Sequence, residues 1–583
     1  MTIRPRRSLA SLPSANRLLS ARLVALLGFA TFVALPGPVH AADAPATARY
    51  HMAATASPLA TQAALAVLRE GGSAVDAAIA AQMMLAVVEP QSSGLGGGSL
   101  LMVWEARTKR LTFIDGLASA PAMMPEDYAH EAGGGAIDPK TLDRSGRVVA
   151  VPGTLRTLAV LHTTQGRLPW ARLFQDAIAT AENGFPLPPY LHATLLSRKD
   201  LAGKPGLAAY FGPDGKALPA GSPIHNLALA ATLRRVAKEG PDALYAGIVA
   251  DDMVAAVGQA PYPGTLTLAD LAAYRPHERT PVCADAFQHR ICSAAPPSSG
   301  GVALLQQLAV LDRVHIADQL PGSVASAHLF IEAARLAEAD RRAYIGDPDQ
   351  VEIPLAGLLD PSYLDARAHL IGPTALETAS HGTPLARHAA LPASDPLEMS
   401  ATSHLAIVDD AGNAVSFTTT INLNFGSDIV VDGVVLNDAL TNFATRPVVN
   451  GVHAANAAAP NKRPITTMAP AIVFDADGRP VLIVGAGGGA RIIDSVAETI
   501  VGVLAWHQQV REAIEQPRIG GENNAQELER DTPAAGLADA LRALGHKPVI
   551  TEMNGGVQAI AILPGGGLEG WADPRRDGVA LGD

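Results

Sequence analysis

Thr402 opens the stretch of this sequence whose residue types best suit nucleophilic chemistry. Thr402-Ser403-His404 begins a run of β-formers that reaches Val408. Asp409-Asp410-Ala411-Gly412-Asn413 then supplies turn chemistry, and Ala414 to Ile421 is β-rich again. A threonine hydroxyl inside a chain is a poor nucleophile without an adjacent base. A cut before Thr402 would free its own α-amine. With a pKa near ~8, that amine is partly unprotonated at neutral pH and can accept the hydroxyl proton. The preceding residues suit a cut. Residues 374–398 carry Pro384, Pro392 and Pro396 among Ala, Ser, His and Thr, with little apolar periodicity, and predict a loose, accessible tether. Thr-Ser-His is also commonplace, so the stretch alone suits an ordinary hairpin better, and the wider chain must decide.

Two glycine-rich turns are the other chemical candidates. Ser93-Gly-Leu-Gly-Gly-Gly98 precedes a strand, which favours close backbone packing over an anion cradle. Gly485-x-Gly487-x-x-Ala490 lies between a strand and a helix, as in a dinucleotide fingerprint. No acidic residue closes a second strand about 20 positions on, where the chain reads Leu504-Ala-Trp-His-Gln508. Backbone N–H groups of such a turn serve any oxyanion equally well.

The elements that must position these residues follow from periodicity. Residues 57–69 and 74–88 read as helices, and so does the run opened by Pro296-Pro-Ser-Ser-Gly-Gly301 and ending near Leu311. A longer helix, about 323–344, carries Glu332, Glu338, Asp340, Arg341 and Arg342, most simply a solvated or interface face. The N-terminus has the form of an export signal over residues 1–41. Arg4, Arg6, Arg7, Arg17 and Arg22 precede an apolar core from Leu23 to Leu35, and Val39-His40-Ala41 is a cleavage site. That core is short for a membrane helix. A periplasmic or secreted product without a stable membrane span is expected. Charged residues make up 17% and the net charge is −12, which argues against nucleic acid as a partner. The two cysteines, Cys283 and Cys292, stand in a strand-turn-strand pattern that allows either a cross-hairpin disulfide or two buried thiols. No metal and no cofactor are expected, since no histidine cluster or ligand set accompanies them.

Taken together, the chain resembles the γ-glutamyltransferase (glutathione hydrolase) family of N-terminal nucleophile hydrolases over about residues 50 to 582. The landmarks stand in the family's order: Ser93–Gly98, Val151-Pro-Gly153, Pro297-Ser-Ser-Gly-Gly301, Gly346-Asp-Pro348, Thr402-Ser-His404, Pro460-Asn-Lys-Arg-Pro464, Gly487-Gly-Gly489 and Asp573-Pro-Arg-Arg576. The resemblance implies an α+β fold, a four-layer αββα sandwich made as one proenzyme that cuts itself. The large subunit would be 42–401, with 373–401 as tether, and the small subunit 402–583, the two remaining associated as a heterodimer. By position, Thr402 matches the nucleophile, Thr420 the threonine that orients it, and Gly488 and Gly489 the oxyanion loop. Asn422 matches a contact to the substrate's α-amino group, and Thr466 and Thr467 stand near its α-carboxylate.

The departures fall on substrate recognition. Leu117 stands where the family has an arginine for the α-carboxylate. Ala439 and Asn442 stand where it has Gln and Asp for the α-amino group. The loop from Arg446 to Ala459 is shorter than the family's lid and lacks its tyrosine. A buried ammonium without a carboxylate partner costs several kcal/mol, so small-molecule γ-glutamyl amides compete with other acyl amides as substrates. The readings are a γ-glutamyl hydrolase or transpeptidase, an acylase of the cephalosporin or glutaryl type, and a binding member without turnover. Arg463, Thr466 and Thr467 are the residues left to meet a carboxylate.

Overall fold

The computed structural model describes residues 44–131, 133–259, 262–384 and 401–583. The expected signal peptide and residues 385–400 of the expected tether lie outside them. Ala401–Val408 and Ala414–Asn422 form the anticipated hairpin. Its turn is closed by Asp409, whose carboxylate accepts from the amides of Ala411 (3.0 Å) and Asn413 (2.9 Å). The hairpin is the centre of a seven-stranded antiparallel sheet in the order Val579–Gly582, Met52–Thr55, Ala401–Val408, Ala414–Asn422, Gly98–Glu105, Arg110–Gly116, His277–Arg279. A second seven-stranded antiparallel sheet runs Ala46–Ala48, Leu568–Ala572, Gly556–Ile562, Pro480–Gly487, Ala471–Phe474, His289–Ser293, Val282–Ala286.

Strand alternation sorts the hairpin's side chains into two cores. Leu405, Ile407, Val415 and Phe417 face helices Pro58–Arg69, Ala74–Val88 and Thr154–Gln165. Ala406, Val408 and Ala414, with Leu100 and Met102 of the same sheet, pack against Ile472, Ile483 and Ile560 of the facing sheet. Helices Ser299–Arg313, Val324–Tyr344 and Ile492–Leu504 complete that side. The result is the expected αββα sandwich. The Ala74–Val88 helix can be buried throughout because all but Asp76 and Gln82 are apolar, six of them alanine. Ser73 starts it, with a capping box to Asp76. Cys283 and Cys292 are opposite each other on paired strands and are joined in a disulfide.

Two expectations are corrected here. The charged positions of the Val324–Tyr344 helix are not a solvated face: Glu332, Arg335, Asp340 and Arg341 are buried. They are needed there because they hold the next segment of chain. His328 Nε2 lies 2.8 Å from Gly372 O, Arg335 donates to Leu376 O (2.8 Å), and Glu332 accepts from Leu376 N (2.9 Å). Asp340 accepts from Gly382 N at 2.9 Å, and the Tyr344 hydroxyl donates to Gly382 O at 2.7 Å. Asn523 takes both backbone groups of Ala379, its carbonyl at 2.9 Å and its amide at 2.8 Å. Residues 372–382 are therefore clasped, not loose. Over residues 372–382 the backbone is irregular and is satisfied by side chains instead of by strand or helix partners, while the rest of the expected tether lies outside the described residues.

Candidate active site

The eight residues singled out in the sequence converge at one end of the central sheet. Thr402 Oγ1 donates to Thr420 Oγ1 at 3.1 Å across the hairpin. Thr420 Oγ1 in turn donates to the carbonyl of Ala401 and accepts from Asn422 N at 2.8 Å. One hydroxyl thus orients Thr402 while polarising the carbonyl that precedes it. The Asn422 side chain reaches the turn carrying Ala439 and Asn442, donating to Thr441 Oγ1 (2.8 Å) and Asp438 O (3.4 Å). Asn442 is half-buried, and its carbonyl is held by Asn456 Nδ2 at 2.6 Å.

The loop expected to receive an oxyanion comes from the facing sheet. Gly485 and Gly487 let that sheet approach closely: a Cβ would stand 2.2 Å from the His404 ring at Gly485 and 2.0 Å from Thr402 O at Gly487. Gly488 and Gly489 follow at φ 145° and 65°, a left-handed turn that suits glycine. The glycine pattern that resembles a dinucleotide fingerprint therefore serves contact with the nucleophile strand. Thr467 Oγ1 secures the loop by donating to Gly489 O at 2.8 Å. Thr466 is fixed through its carbonyl, which accepts from Ser299 N (2.9 Å) and Gly300 N (3.2 Å), the task of the Pro-Ser-Ser-Gly-Gly motif.

The other glycine run also works by close approach. A Cβ on Gly96 would meet Val435 O, and one on Gly97 would meet Thr420 O, each at 2.1 Å. Gly97→Ala should consequently lower stability by ~1–3 kcal/mol and disturb Thr420. Thermal denaturation of the purified variant checks the first effect and the rate of maturation the second.

Several residues were not singled out as site residues in the sequence. Arg576, within the Asp-Pro-Arg-Arg run, donates from Nη1 to Thr402 O at 2.5 Å and from Nε to Asn554 O at 3.0 Å. Asn437 satisfies all its polar capacity between Gly96 O, both backbone groups of Ala150 and Ala439 N, fastening three loops to one another. Their signal was a chain motif, without any hint of what each would touch. His404 is not a base for Thr402. Burial pushes it down to about 3, and its Nδ1 lies 2.9 Å from Thr418 Oγ1 with the ring against Gly485.

The positions expected to recognise substrate are arranged differently from those expected to be catalytic. Leu117 packs its side chain into the inter-sheet core. Arg463, expected as a carboxylate partner, is 5% exposed and already committed. It donates to Arg275 O (2.8 Å) and Leu117 O (3.5 Å), and stands 3.7 Å from Asp115. A cleft of about 510 Å³ opens onto Gly488. Lys140, Arg144, Arg198 and Arg491 line it beside Asp143, Glu522 and Glu527.

The gamma-glutamyltranspeptidase family model matches residues 60–583. The chain belongs to that family. Among gamma-glutamyltranspeptidase relatives, the glutathione hydrolase proenzyme of Bacillus subtilis (strain 168) is 35% identical over 542 residues, covering 91% of each chain. The acylase ACY 1 proenzyme of Pseudomonas sp. (strain SE83) is 37% identical over 552 residues, covering 92% of this chain and 94% of its own. The structure of cephalosporin acylase from Bacillus halodurans superimposes with a TM-score of 0.81 at 28% identity, over 95% of this chain and 99% of that one. Both the hydrolase and the acylase readings thus lie within the gamma-glutamyltranspeptidase family, whose members are enzymes. No helix among the described residues is long and apolar enough to cross a membrane.

Proposed function

We propose that this chain is an exported N-terminal-threonine amidohydrolase that matures by cutting itself before Thr402. It then cleaves acyl amides lacking an α-ammonium in preference to γ-glutamyl amides. Residues 1–41 would be removed on export, 42–401 would be the large subunit, and 402–583 the small one. In turnover, Thr402 Oγ1 attacks the amide carbonyl as its own amine takes the proton. The Gly488 and Gly489 amides receive the oxyanion, the amine returns the proton to the leaving nitrogen, and water releases the acyl group. An amine acceptor in place of water gives transfer.

One observation carries the donor preference. The hydroxyl and glycine machinery is fully assembled, while the three zwitterion-gripping positions hold Leu117 in the core, uncharged Ala439 and Asn442, with Arg463 bound elsewhere. Support also comes from the acylase relative, as similar as the hydrolases. Of the cleft's cations, Arg144 and Arg198 pair with Asp200 and Asp428 and Arg491 with Glu527, so a carboxylate on the far end of the acyl group would meet Lys140 or compete for the others. On that ground a dicarboxylic half-amide is the preferred donor class. On purified, processed protein, glutaryl-p-nitroanilide is expected to give the higher kcat/KM and γ-glutamyl-p-nitroanilide and glutathione to be weak. Ala439→Gln with Asn442→Asp should move the ratio towards γ-glutamyl. A wild type that hydrolyses glutathione with low KM and outpaces the glutaryl amide would overturn this preference.

A further inference from the structure

Glu89 is a buried carboxyl behind the nucleophile strand for which the chemistry above has no use. It follows the Ala74–Val88 helix and is 2% exposed. Its Oε2 accepts from Ser403 Oγ at 2.7 Å, and Ser93 Oγ donates to the same Ser403 oxygen at 3.1 Å. Ser403 follows Thr402 directly and, by strand alternation, points away from the Thr402–Thr420 hydroxyl pair. Glu89 therefore grips the nucleophile's neighbour from the helix side. On the other side Arg576 holds the nucleophile's own carbonyl. Glu89 and Arg576 attract each other, yet Glu89 Oε1 and Arg576 Nη2 are both buried without a hydrogen-bond partner among the described residues. Thr402 thus sits between a cation on its carbonyl and a carboxyl bonded to the next side chain.

We propose that Glu89 is a positioning residue whose charge sets the pH range in which the Thr402 amine acts as base. This rests on the reading of Thr402 as the freed nucleophile. An ionised Glu89 favours the ammonium form of that amine. A protonated Glu89 leaves Arg576 uncompensated, which favours the free amine. Burial lifts Glu89 to about 7, with Arg576 and the Ser403 bond opposing the rise and Asp577 adding to it. The carboxyl therefore changes charge in the same interval as the amine, and the two titrate as a coupled pair. The other groups facing this site do not supply that change. Tyr190 stacks on Arg576 at 4.8 Å, and His404 is neutral. Burial also raises Asp577, held by Tyr190 N at 2.9 Å, and Asp438, which accepts from Leu423 N at 3.0 Å on the hydroxyl side, but neither is bonded to a neighbour of Thr402.

The test is the pH profile of kcat/KM on processed protein, with both fragments confirmed on a gel. Glu89→Gln keeps an acceptor for Ser403 but fixes the neutral state, so the acidic limb should move down by ~0.5–1 pH unit. Ser403→Ala removes a donor that stabilises the Glu89 anion, so it should move the limb the same way by less than Glu89→Gln does while lowering kcat at every pH. Glu89→Asp retains the charge and should restore the wild-type limb. A Glu89→Gln limb coincident with wild type makes Glu89 a structural peg and overturns the proposal. If Glu89→Gln does not mature, the wild-type limb itself decides: coupling makes it shallower than one proton, and a limb of unit slope refutes the role. Turnover by uncut Thr402→Ala protein would instead remove the underlying reading of the nucleophile.

Discussion

Replacing Thr402 by alanine should leave one polypeptide on a denaturing gel, where the wild type gives two. In the wild type the smaller fragment should begin Thr-Ser-His-Leu, and the variant's turnover should fall by on the order of 10⁴-fold or more. The geometry favours this residue over its neighbour. Thr402 Oγ1 faces Thr420 and the Ala401 carbonyl, whereas Ser403 Oγ is engaged by Glu89 and Ser93 on the other face. In the maturation step Thr402 Oγ1 bonds to the carbonyl carbon of Ala401 and the Ala401–Thr402 C–N bond breaks. The hydroxyl proton passes to the departing nitrogen. Water then opens the resulting ester, giving the Ala401 carboxylate and a free Thr402 hydroxyl beside a free amine. N-terminal sequencing of the small fragment is the check. A fragment starting at Ser403, or a Thr402→Ala protein that still divides, sinks the assignment.

Thr420→Val should slow maturation by ~10²–10³, because it removes the hydroxyl that bridges nucleophile and scissile carbonyl. The methyl groups preserve the β-branched shape, so the strand should still form. Thr420→Ser keeps the oxygen and should mature near the wild-type rate. The time course of fragment appearance after purification separates the three proteins. Equal rates for valine and threonine would mean that the Ala401 carbonyl is polarised by some other group. In the wild type the cut removes Ala401 from Thr420, so that the same hydroxyl can serve the Thr402 amine during turnover. Maturation and turnover are thereby expected to share this residue and to be impaired together.

Where sequence chemistry acts locally, it was readable. The hairpin around Asp409–Asn413 and the helices Pro58–Arg69 and Ala74–Val88 follow from alternation, turn residues and caps that act within a few positions. Thr402 stood out as a candidate nucleophile only through the order of the family's motifs, since Thr-Ser-His alone is commonplace. What the sequence hid were distances across the chain. Arg576 meets Thr402, and Glu89 meets Ser403, through contacts between residues 174 and 314 positions apart. The charges of the Val324–Tyr344 helix look solvated in one dimension, since nothing nearby reveals that residues 372–382 return to cover them. Arg463 seemed free for the same reason: its partners at Arg275, Leu117 and Asp115 belong to distant segments.

The strand order has a consequence for heredity as well as for chemistry. A cut before Thr402 would place Met52–Thr55 in one fragment, yet that strand lies between Val579–Gly582 and Ala401–Val408, which fall almost wholly in the other. The facing sheet is shared likewise, with Ala46–Ala48 at one edge, His289–Ser293 and Val282–Ala286 at the other, and the later strands between them. Separating the fragments would tear both sheets and open the core between them. Each mature molecule would accordingly keep for life the two halves of a single translation product. A cell carrying one maturing chain defective in the small fragment, at Asn422, and another defective in the large fragment, at Glu89, could not assemble a sound enzyme by exchanging halves. Such pairs of alleles should fail to complement.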